Sequence, residues 1–464
     1  MTQLARQNSG AATGTGLIFT RRDEESSQTR IARLRADGEQ RIGENKLSGR
    51  AAVMSGRRSA DRQRHSTGVS GATVAAWQEV ERRSDGEMSA SLRVDRPMGE
   101  ASGHFVSAGV DFARHQRRDA QWYRGSVSGS SRFDGRAQQW SLWGQDEWRV
   151  RQDITLTTGL RGETMNLSGS TPAATRGAVH PSLAARWDVA PGWQVRASSG
   201  GSIRFPRLEE LTAVASRSAS ANSPLEPDRG GNPALRPERI VNFELGVDHP
   251  LDAPVAEARE SGKGKAEGGG GIVGANLYFR QTRGLIERRQ VLEGARWVER
   301  PWNEGDARHW GLEFSAKLRS AALPSLPKGA SLRASLTLPR GTVEDQRLGM
   351  RRGVREMPDH TATLAYEQTV PSWQATFGVQ WQRNGVTRTH IPGEVQLYGP
   401  MRNLVDAHVE RRLDATFNLR LSVQNLWRAD LRRHASAVAA GDAWQLDSNE
   451  AGQRTWLLSL EGKW

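Results

Sequence analysis

The chain has 464 residues, of which 36% are hydrophobic and 25% charged, and its formal net charge is +13. No stretch approaches the roughly 18 consecutive apolar residues of a membrane-spanning helix, whereas a spanning strand needs only about 9 to 11 residues with apolar side chains at alternate positions. The composition therefore excludes a helical membrane protein and still allows a transmembrane β-barrel. The absence of cysteine fits an oxidising compartment such as the periplasm.

The N-terminal region, residues 1–138, shows the strand period only weakly. Residues 88–94 and 105–112 alternate between two faces and predict strands, while residues 17–20 and 51–54 are poorer candidates. Residues 1–16 contain no apolar core of the length that an export signal needs. We therefore interpret residues 1–138 as N-terminal barrel strands that are incomplete at their beginning.

The C-terminal region, residues 139–464, alternates regularly between apolar and polar positions, and several apolar faces begin or end in Trp or Phe. Such strands have one apolar and one polar face. The apolar face of a soluble sheet would cover a core, whereas in a barrel it would contact lipid, with aromatic residues at the two interfaces. The clearest runs are residues 154–163, 243–248, 310–319, 332–338, 373–382 and 417–424.

The spacers between these runs alternate between short and long. Short turns on one side and long loops on the other are typical of an outer-membrane barrel. The alternation persists from the C-terminus back to about Gln139, except that the glycine-rich segment 251–270 is long where a short turn is expected. In all, the sequence predicts about 18 to 20 antiparallel strands by the period-two criterion.

The long spacers predicted as loops share a polar composition and lack a regular strand period. They are residues 165–178, 207–236, 290–308, 341–357, 386–401 and 428–453.

The last strand ends at Trp464, with Trp456, Leu458 and Leu460 on the same face. A final strand that ends in an aromatic residue is typical of outer-membrane barrels. We expect this strand to be the one that the barrel assembly machinery contacts.

One stretch resembles a sequence block of a known family. Residues 232–238, followed by Glu244 and Gly246, are similar to the N-P-x-L-x-P-E…E-x-G block of TonB-dependent outer-membrane receptors. Further blocks agree in order over residues 139–464, at 145–161, 198–206, 303–313, 358–360 and 425–427. The family-motif residues are Asn232, Pro233, Leu235, Pro237, Glu238, Glu244, Gly246, Gly311, Glu313, Asn425 and Trp464.

The resemblance implies an all-β fold, a transmembrane antiparallel barrel of the 22-strand type. It also implies a plug domain and a TonB-binding box, neither of which the sequence shows. We therefore expect an incomplete receptor that lacks the plug and some N-terminal strands and does not perform gated transport by itself. Its function would be uptake of a scarce ligand, above all a ferric siderophore, in the outer membrane of a Gram-negative bacterium. TonB would be a partner of an intact family member.

The motif residues are interpreted as structural, with Glu238 and Glu244 pointing inward to pair with arginines such as Arg161, Arg196 or Arg204. Ligand contacts are assigned instead to arginines of the outer loops, because guanidinium groups suit an anionic ferric chelate. These ligand-loop candidates are Arg204, Arg207, Arg217, Arg351 and Arg352.

The arginines and histidines also bear on other functions and partners. Arginines are scattered and do not follow one helix face, so we expect no nucleic-acid partner, and loop arginines would meet outer-membrane lipid and lipopolysaccharide. The ten histidines form no HxxxH or HExxH pair, so we expect no enzyme, no metal site and no cofactor. A plugless passive channel, or a soluble basic binding protein, remains as an alternative.

Overall fold

We describe the computed structural model of the chain for the following residues: 4–12, 15–68, 73–99, 103–125, 128–169, 174–211, 216, 218, 222–251, 270–323, 325–439 and 442–462. Strands dominate this part of the chain, and two short 3₁₀ helices, Leu208–Glu210 and Pro371–Trp373, interrupt them. In the described ranges no helix is long and apolar enough to cross a membrane.

The strands in chain order are β1 (Leu4–Ala12), β2 (Thr15–Ile42), β3 (Asn45–Gly68), β4 (Thr73–Pro97), β5 (His104–Arg124), β6 (Gly129–Arg151), β7 (Ile154–Gly169), β8 (Ala174–Ala190), β9 (Trp193–Arg204), β10 (Asp228–Arg229), β11 (Glu238–Leu251), β12 (Gly271–Glu293), β13 (Arg296–Arg319), β14 (Ala330–Asp345), β15 (Met350–Gly353), β16 (Thr361–Val370), β17 (Ala375–Asn384), β18 (Thr387–Ile391), β19 (Val395–Gly399), β20 (Arg402–Arg412), β21 (Phe417–Gln424), β22 (Leu431–Ala439), β23 (Asp442–Glu450) and β24 (Thr455–Gly462).

In the described part of the chain, twenty strands form one sheet, which confirms the predicted antiparallel barrel wall of 18 to 20 strands. Its main strands pair with their neighbours in chain order, β10 adds to β13 in parallel, and β15 adds to β14. A second sheet of four strands consists of β18, β19, β22 and β23. Within the described residues no ladder joins β1 to β24, and β1 lies against β23.

The connections alternate between two ends of the sheet, as the spacers predicted. At the end that we call the turn end, two-residue turns at 43–44, 152–153 and 191–192 join successive strands. Gly43 and Gly192 have φ values of 60° and 75°, a left-handed conformation that favours glycine. The opposite end, which we call the loop end, carries the connection from β9 to β11 and the four-stranded sheet. The glycine-rich segment expected between β11 and β12 lies outside the described residues.

One face of the sheet carries a continuous apolar band. Paired residues of neighbouring antiparallel strands lie on the same face. Leu245 of β11 pairs with Leu277 of β12, which pairs with Leu312 of β13 and then Leu338 of β14. The first three of these leucines are exposed although they are strongly apolar. Such a band is what the outer face of a barrel offers to lipid.

Exposed aromatic residues border the apolar band on both sides. Trp and Phe are enriched where a membrane protein crosses the two membrane–water interfaces. Exposed aromatics toward the loop end are Trp140, Phe243, Phe279 and Trp310, and those toward the turn end are Trp148, Trp187, Trp193 and Trp373. Their placement supports the prediction of aromatic strand ends.

The opposite face is polar and packs closely around glycines of the family motif. Tyr278 of β12 pairs with Gly311 of β13. A Cβ atom added at Gly311 would lie 2.7 Å from the Tyr278 hydroxyl oxygen and 2.7 Å from the Leu338 carbonyl oxygen. An aromatic ring that covers a strand glycine in this way fills the space that the missing side chain leaves. The pairing of Gly311 with Tyr278 therefore has a packing role on the inner face.

Two sequence expectations need correction. Residues 1–138 were interpreted as weakly patterned barrel strands, yet β2, β3 and β4 have 28, 24 and 25 residues. Together with β13, which has 24 residues, they are the longest strands of the described chain. Residues 290–308 were expected to be a loop, but β12 and β13 continue through them to a turn at 294–295. In the N-terminal strands arginine and small residues replace many of the apolar side chains that the pattern needs. Residues 138 and 139 both lie within β6, so the sheet is continuous there.

Candidate functional site at the loop end of the barrel interior

The connection between β9 and β11 folds back onto the inner face of the sheet. We call the described residues of this connection, 205–211, 216, 218 and 222–237, the interior loop. Its Leu208, Leu211 and Leu235 pack against Phe133 of β6 and Leu167 of β7, and all five side chains are buried. Burying a leucine side chain contributes about 1.5 to 3 kcal/mol. This cluster therefore holds the loop inside the barrel and identifies the face of Phe133 as the inner one.

Asn232, the first residue of the family motif, fixes the return of the interior loop. Its side-chain amide donates to the Pro301 carbonyl oxygen at 3.1 Å, and its Oδ1 accepts from the Ala234 N–H at 2.9 Å. Its backbone N–H donates to the Glu210 carbonyl oxygen at 2.6 Å. The motif asparagine thus joins two parts of the loop to β13.

A second asparagine, Asn303 of β13, holds the loop near its end. Asn303 Oδ1 accepts from the Arg236 N–H at 2.9 Å, and its Nδ2 donates to the Arg236 carbonyl oxygen at 3.0 Å. The same amide donates to the Gly284 carbonyl oxygen at 2.8 Å. Asn303 therefore holds the interior loop and β12 together, which explains the N-x-G block of the sequence.

The prediction that Glu238 pairs with a lumen arginine is confirmed. Arg204 Nη1 donates to Glu238 Oε1 at 3.2 Å, and Arg204 Nη2 donates to Glu210 Oε1 at 2.8 Å. The Ile286 N–H donates to Glu238 at 2.7 Å. Burial raises the pKa of Glu238, and the Ile286 N–H and Arg204 oppose that shift. Arg204, a ligand-loop candidate, is thus already engaged by two carboxylates.

The corresponding prediction for Glu244 is wrong. Glu244 forms no ion pair with any described residue. Arg196 donates instead to Asp248 at 2.5 Å, and Arg161 pairs with Asp111 at 3.0 Å. Glu244 pairs across the ladder with Ser198 and Tyr278, so the register, which the sequence alone did not provide, leaves no arginine beside it.

Further along the inner face, Gly246 and Glu313 serve packing and hydrogen bonding. A Cβ atom at Gly246 would lie 3.1 Å from Arg196 Nη2 and 3.2 Å from Asn276 Oδ1. The Asn276 amide donates to Glu313 at 3.1 Å. These contacts agree with the interpretation of the motif residues as structural.

Arg352 of β15 is the centre of a buried ion cluster. Its Nε donates to Asp345 Oδ2 at 2.8 Å, and its Nη1 lies 2.8 Å from Glu287 Oε2. Asp345 also accepts from the N–H groups of Arg347 and Leu348 at 3.1 and 3.0 Å. Burial alone would raise the pKa of Asp345, but the hydrogen bonds from Arg352 and the Leu348 N–H hold it below its usual value. Arg352 is only 6% exposed.

Glu304 lies beside this cluster, and few polar groups stabilise its buried carboxylate. Its residue is 4% exposed, and neither carboxylate oxygen accepts a hydrogen bond from a described residue. Its cation partner is Arg289 at 3.8 Å, which also stacks over the Trp302 ring at 4.1 Å. Burial raises the pKa of Glu304, and the charge of Arg289 opposes that shift. The sequence did not single out Glu304 because nothing local marks it as buried.

The remaining predicted residues fall in three places. Arg207 and Arg351 are exposed at the loop end, with side chains 71% and 59% accessible. Asn425 has a φ of 50° after β21 and accepts from the Ala429 N–H at 2.8 Å, so it forms the turn there. Arg217 and Trp464 lie outside the described residues.

The described residues contain no group of three or more His, Cys, Asp or Glu side chains that could hold a metal ion. The loop end instead combines a loop pinned inside the barrel, carboxylates already paired with arginine, and exposed guanidinium groups above them. Chemically, this arrangement can attract and hydrogen-bond an anion at the entrance.

Comparison with known proteins agrees with this architecture. A family model described as TonB dependent receptor-like, beta-barrel matches residues 4–426. Among solved structures, a mutant ferric enterobactin receptor (PfeA) from Pseudomonas aeruginosa is 14% identical, with a TM-score of 0.54 over 96% of this chain and 72% of that chain.

Two further solved structures are similar. The unliganded ferric citrate transporter FecA is 12% identical, with a TM-score of 0.56 over 97% of this chain and 78% of that one. The copper transporter OprC is 13% identical, with a TM-score of 0.54 over 97% of this chain and 80% of that one. A search of curated proteins finds no significant match.

Proposed function

This chain belongs to the TonB-dependent receptor family, and from that premise we propose that it forms the barrel of a receptor that takes up an anionic metal chelate, above all a ferric siderophore. The observation that carries the proposal is the loop end, where Arg207 and Arg351 remain exposed above an interior loop that is fixed inside the barrel. The family consists of receptors and transporters, not enzymes.

The choice of ligand is supported by charge and by the similar structures. One is named for ferric enterobactin and one for ferric citrate. Guanidinium groups bind carboxylate and catecholate oxygens through short charge-assisted hydrogen bonds. Arg204 and Arg352 would act by positioning the loop and β15, because two carboxylates engage each guanidinium group. Arg207 and Arg351 each pair with a single carboxylate and stay exposed. Arg217 stays a candidate contact.

Location and partners form the rest of the proposal. Members of this family are outer-membrane proteins of Gram-negative bacteria. We place the apolar band of this chain in that membrane, with the turn end in the periplasm and the loop end outside. Coupling to TonB, contact with outer-membrane lipid and insertion by the barrel assembly machinery through the terminal strand would follow.

Binding by the full chain in detergent tests the ligand. Tryptophan fluorescence titrations with ferric citrate and a ferric tris-catecholate should saturate, whereas a cationic ferric hydroxamate should bind less well. Exchange of Arg207→Glu together with Arg351→Glu should weaken anionic-chelate binding about tenfold or more. Arg151→Glu is the matched control, because Arg151 is an exposed, ion-paired arginine at the turn end.

Two results would contradict the proposal: no binding of either anionic chelate by the folded chain, or equal loss of binding in the control. Measurement of conductance across a vesicle membrane distinguishes the proposed receptor from the alternative, a passive channel. A large, stable conductance that an anionic chelate leaves unchanged would favour the channel.

A further inference from the structure

A cavity of about 300 Å³ lies between the interior loop and the inner face of the wall formed by β3 to β6. The described residues that line it include six arginines and four carboxylates, so arginine is in excess. On the loop side, Arg229 and Arg288 share one carboxylate, Glu299, at 3.6 and 3.5 Å. A cleft lined by an excess of one charge concentrates ions of the opposite charge. The cavity therefore favours an anion.

On the wall side of this cavity, carboxylates of the wall itself hold the arginines in place. Arg117 Nε donates to Asp119 Oδ2 at 2.7 Å, and Arg83 Nε donates to Asp119 Oδ1 at 3.1 Å. Arg83 also pairs with Glu81 at 2.7 Å. A guanidinium group has five N–H donors, so these contacts leave donors for a further anion. Arg117 is thus fixed in position with part of its guanidinium group directed at the interior loop.

Glu209 of the interior loop occupies that side of Arg117. Arg117 Nη1 donates to Glu209 Oε2 at 3.3 Å, and Glu209 Oε1 lies 3.8 Å from Arg207 Nη1. Hydrogen bonds between a charged N–H group and a carboxylate are usually about 2.7 to 2.9 Å long. Both contacts of Glu209 are longer, whereas Asp119 accepts from the same guanidinium group at 2.7 Å. Glu209 is therefore the weaker of these two partners of Arg117.

The adjacent carboxylate, Glu210, is held much more firmly. Its Oε1 accepts from Arg204 Nη2 and its Oε2 from the Arg207 N–H, both at 2.8 Å. The Glu210 side chain is 14% accessible, whereas that of Glu209 is 39% accessible. Glu210 thus caps the 3₁₀ helix Leu208–Glu210. Glu209 can leave its arginines without loss of that cap.

The carboxylate of Glu209 joins an arginine of the cavity to an arginine of the entrance. The Arg117 side chain is 14% accessible, and the Arg207 side chain is 71% accessible. An anion that enters past Arg207 therefore meets Arg117 at the position that Glu209 fills. Guanidinium groups bind carboxylates in a defined, planar geometry. Because a carboxylate of the protein already fits between the two arginines, a carboxylate of a ligand fits there as well.

We propose that Arg117 and Arg207 form a carboxylate subsite in the lumen, and that Glu209 occupies this subsite as an internal competitor until a ligand carboxylate displaces it. A cavity of about 300 Å³ takes one carboxylate arm of a chelate and not the whole chelate. Displacement of Glu209 also releases an ion pair that joins the interior loop to β5. The inference rests on the proposed function and narrows its ligand to a chelate that carries a free carboxylate.

Binding of iron-free citrate by the full chain in detergent tests the inference, with the dissociation constant measured by titration calorimetry. Glu209→Gln should bind citrate about three- to tenfold more tightly than the unchanged protein, because a neutral amide competes less for the two arginines. Arg117→Gln should weaken citrate binding. The double variant, Arg117→Gln with Glu209→Gln, should bind no more tightly than Arg117→Gln, since the gain acts through Arg117.

Two further variants separate the local contact from a general loss of negative charge. Glu209→Asp keeps the charge but shortens the side chain and draws its carboxylate away from Arg117. It should also tighten citrate binding, and it serves if Glu209→Gln does not fold. Glu293→Gln is the matched control, because Glu293 is a similarly exposed loop-end carboxylate that pairs with Arg300 at 2.6 Å. This control should bind citrate as the unchanged protein does.

Three results would overturn the inference: no gain in citrate affinity in Glu209→Gln, an equal gain in Glu293→Gln, or a gain that persists in the absence of Arg117. Binding of ferric citrate and of a ferric tris-catecholate is measured with the same proteins. If the unchanged protein binds neither chelate while Glu209→Gln gains affinity for citrate, only the proposed function fails. If the unchanged protein binds ferric citrate and Glu209→Gln gains no affinity for citrate, only this inference fails.

Discussion

At the scale of single residues, two neighbouring arginines of β15 at the loop end differ in burial. Arg352 is buried between Asp345 and Glu287, and Arg351 is exposed beside Glu344. Both were ligand candidates, because sequence alone does not show which of two adjacent strand residues points inward. The ladder register shows that Arg352 points inward, because Arg352 pairs with the fully buried Val343.

Replacing Arg352 should destabilise the protein strongly. Arg352→Ala leaves two carboxylates buried without their cation, which costs about 3 to 5 kcal/mol. Arg351→Ala is the control and should cost under about 1 kcal/mol, as for a surface ion pair. The midpoint of thermal unfolding in detergent measures both. Equal midpoints for the two variants would show that the buried cluster does not stabilise the fold.

Glu304 predicts a pH dependence of stability. Its pKa is raised above the usual 4.5 by burial, so the folded state binds its proton more tightly than the unfolded state. Stability from this group is therefore present below pH 4.5 and is lost as pH rises through the folded pKa. Glu304→Gln should raise the unfolding midpoint at neutral pH and change it little at pH 4. Glu344→Gln, at an exposed site, should show no such crossover.

At the scale of elements, the interior loop depends on a few polar contacts as well as on its leucines. Asn303 makes three of them, to Arg236 and Gly284. The loop was predicted as a plain outer connection, because its buried leucines are too widely spaced to show a period. The motif residue Asn232 makes hydrogen bonds within the loop and to β13, and the interpretation of the motif residues as structural stays a prediction.

Removing the Asn303 side chain should release the interior loop without unfolding the barrel. Three hydrogen bonds contribute about 1 kcal/mol each, so Asn303→Ala should make residues 205–237 much more sensitive to trypsin. Asn418→Ala is the control, since Asn418 makes no side-chain hydrogen bond with a described residue. Fragment masses after brief digestion locate the cuts. Digestion of the loop at the same rate in both variants would contradict its attachment through Asn303.

At the scale of elements, strands β2 to β5 also show where a period-two pattern fails to predict a strand. β2 to β5 keep their ladders over rows of alanine, serine and arginine, such as Arg30 and Arg57. These rows stand beyond the apolar band, so nothing selects apolar side chains there. The same reason applies to β18, β19, β22 and β23, which form hairpins within segments predicted as loops. Over residues 139–464 the alternation did predict the wall, because there one face carries the apolar band.

At the scale of the whole molecule, the two faces of the wall are chemically opposite. Leu277 belongs to the apolar band, and its neighbour Asn276 faces inward toward Glu313. This division allows a direct test of which face meets lipid.

A charge on the outer face should block insertion, while the same charge inside should not. Leu277→Arg should cost about 2 to 4 kcal/mol at the centre of a lipid-facing band. Asn276→Arg loses one hydrogen bond but brings its cation to Glu313. The fraction of each protein that becomes protease-resistant in phospholipid vesicles reports insertion. If Asn276→Arg inserted worse than Leu277→Arg, the assignment of the faces would be reversed.

The length of β2 determines how far the wall extends beyond the apolar band. Twenty-eight residues at about 3.3 Å each make a strand of roughly 90 Å. A tilt of about 40° leaves a height of roughly 70 Å, against an apolar band of only about 25 Å. In the membrane location that we propose, this wall would extend well beyond the lipid surface. In that location a phage or an antibody would reach the end of the wall first, and only a small solute would pass to the arginines at the loop end.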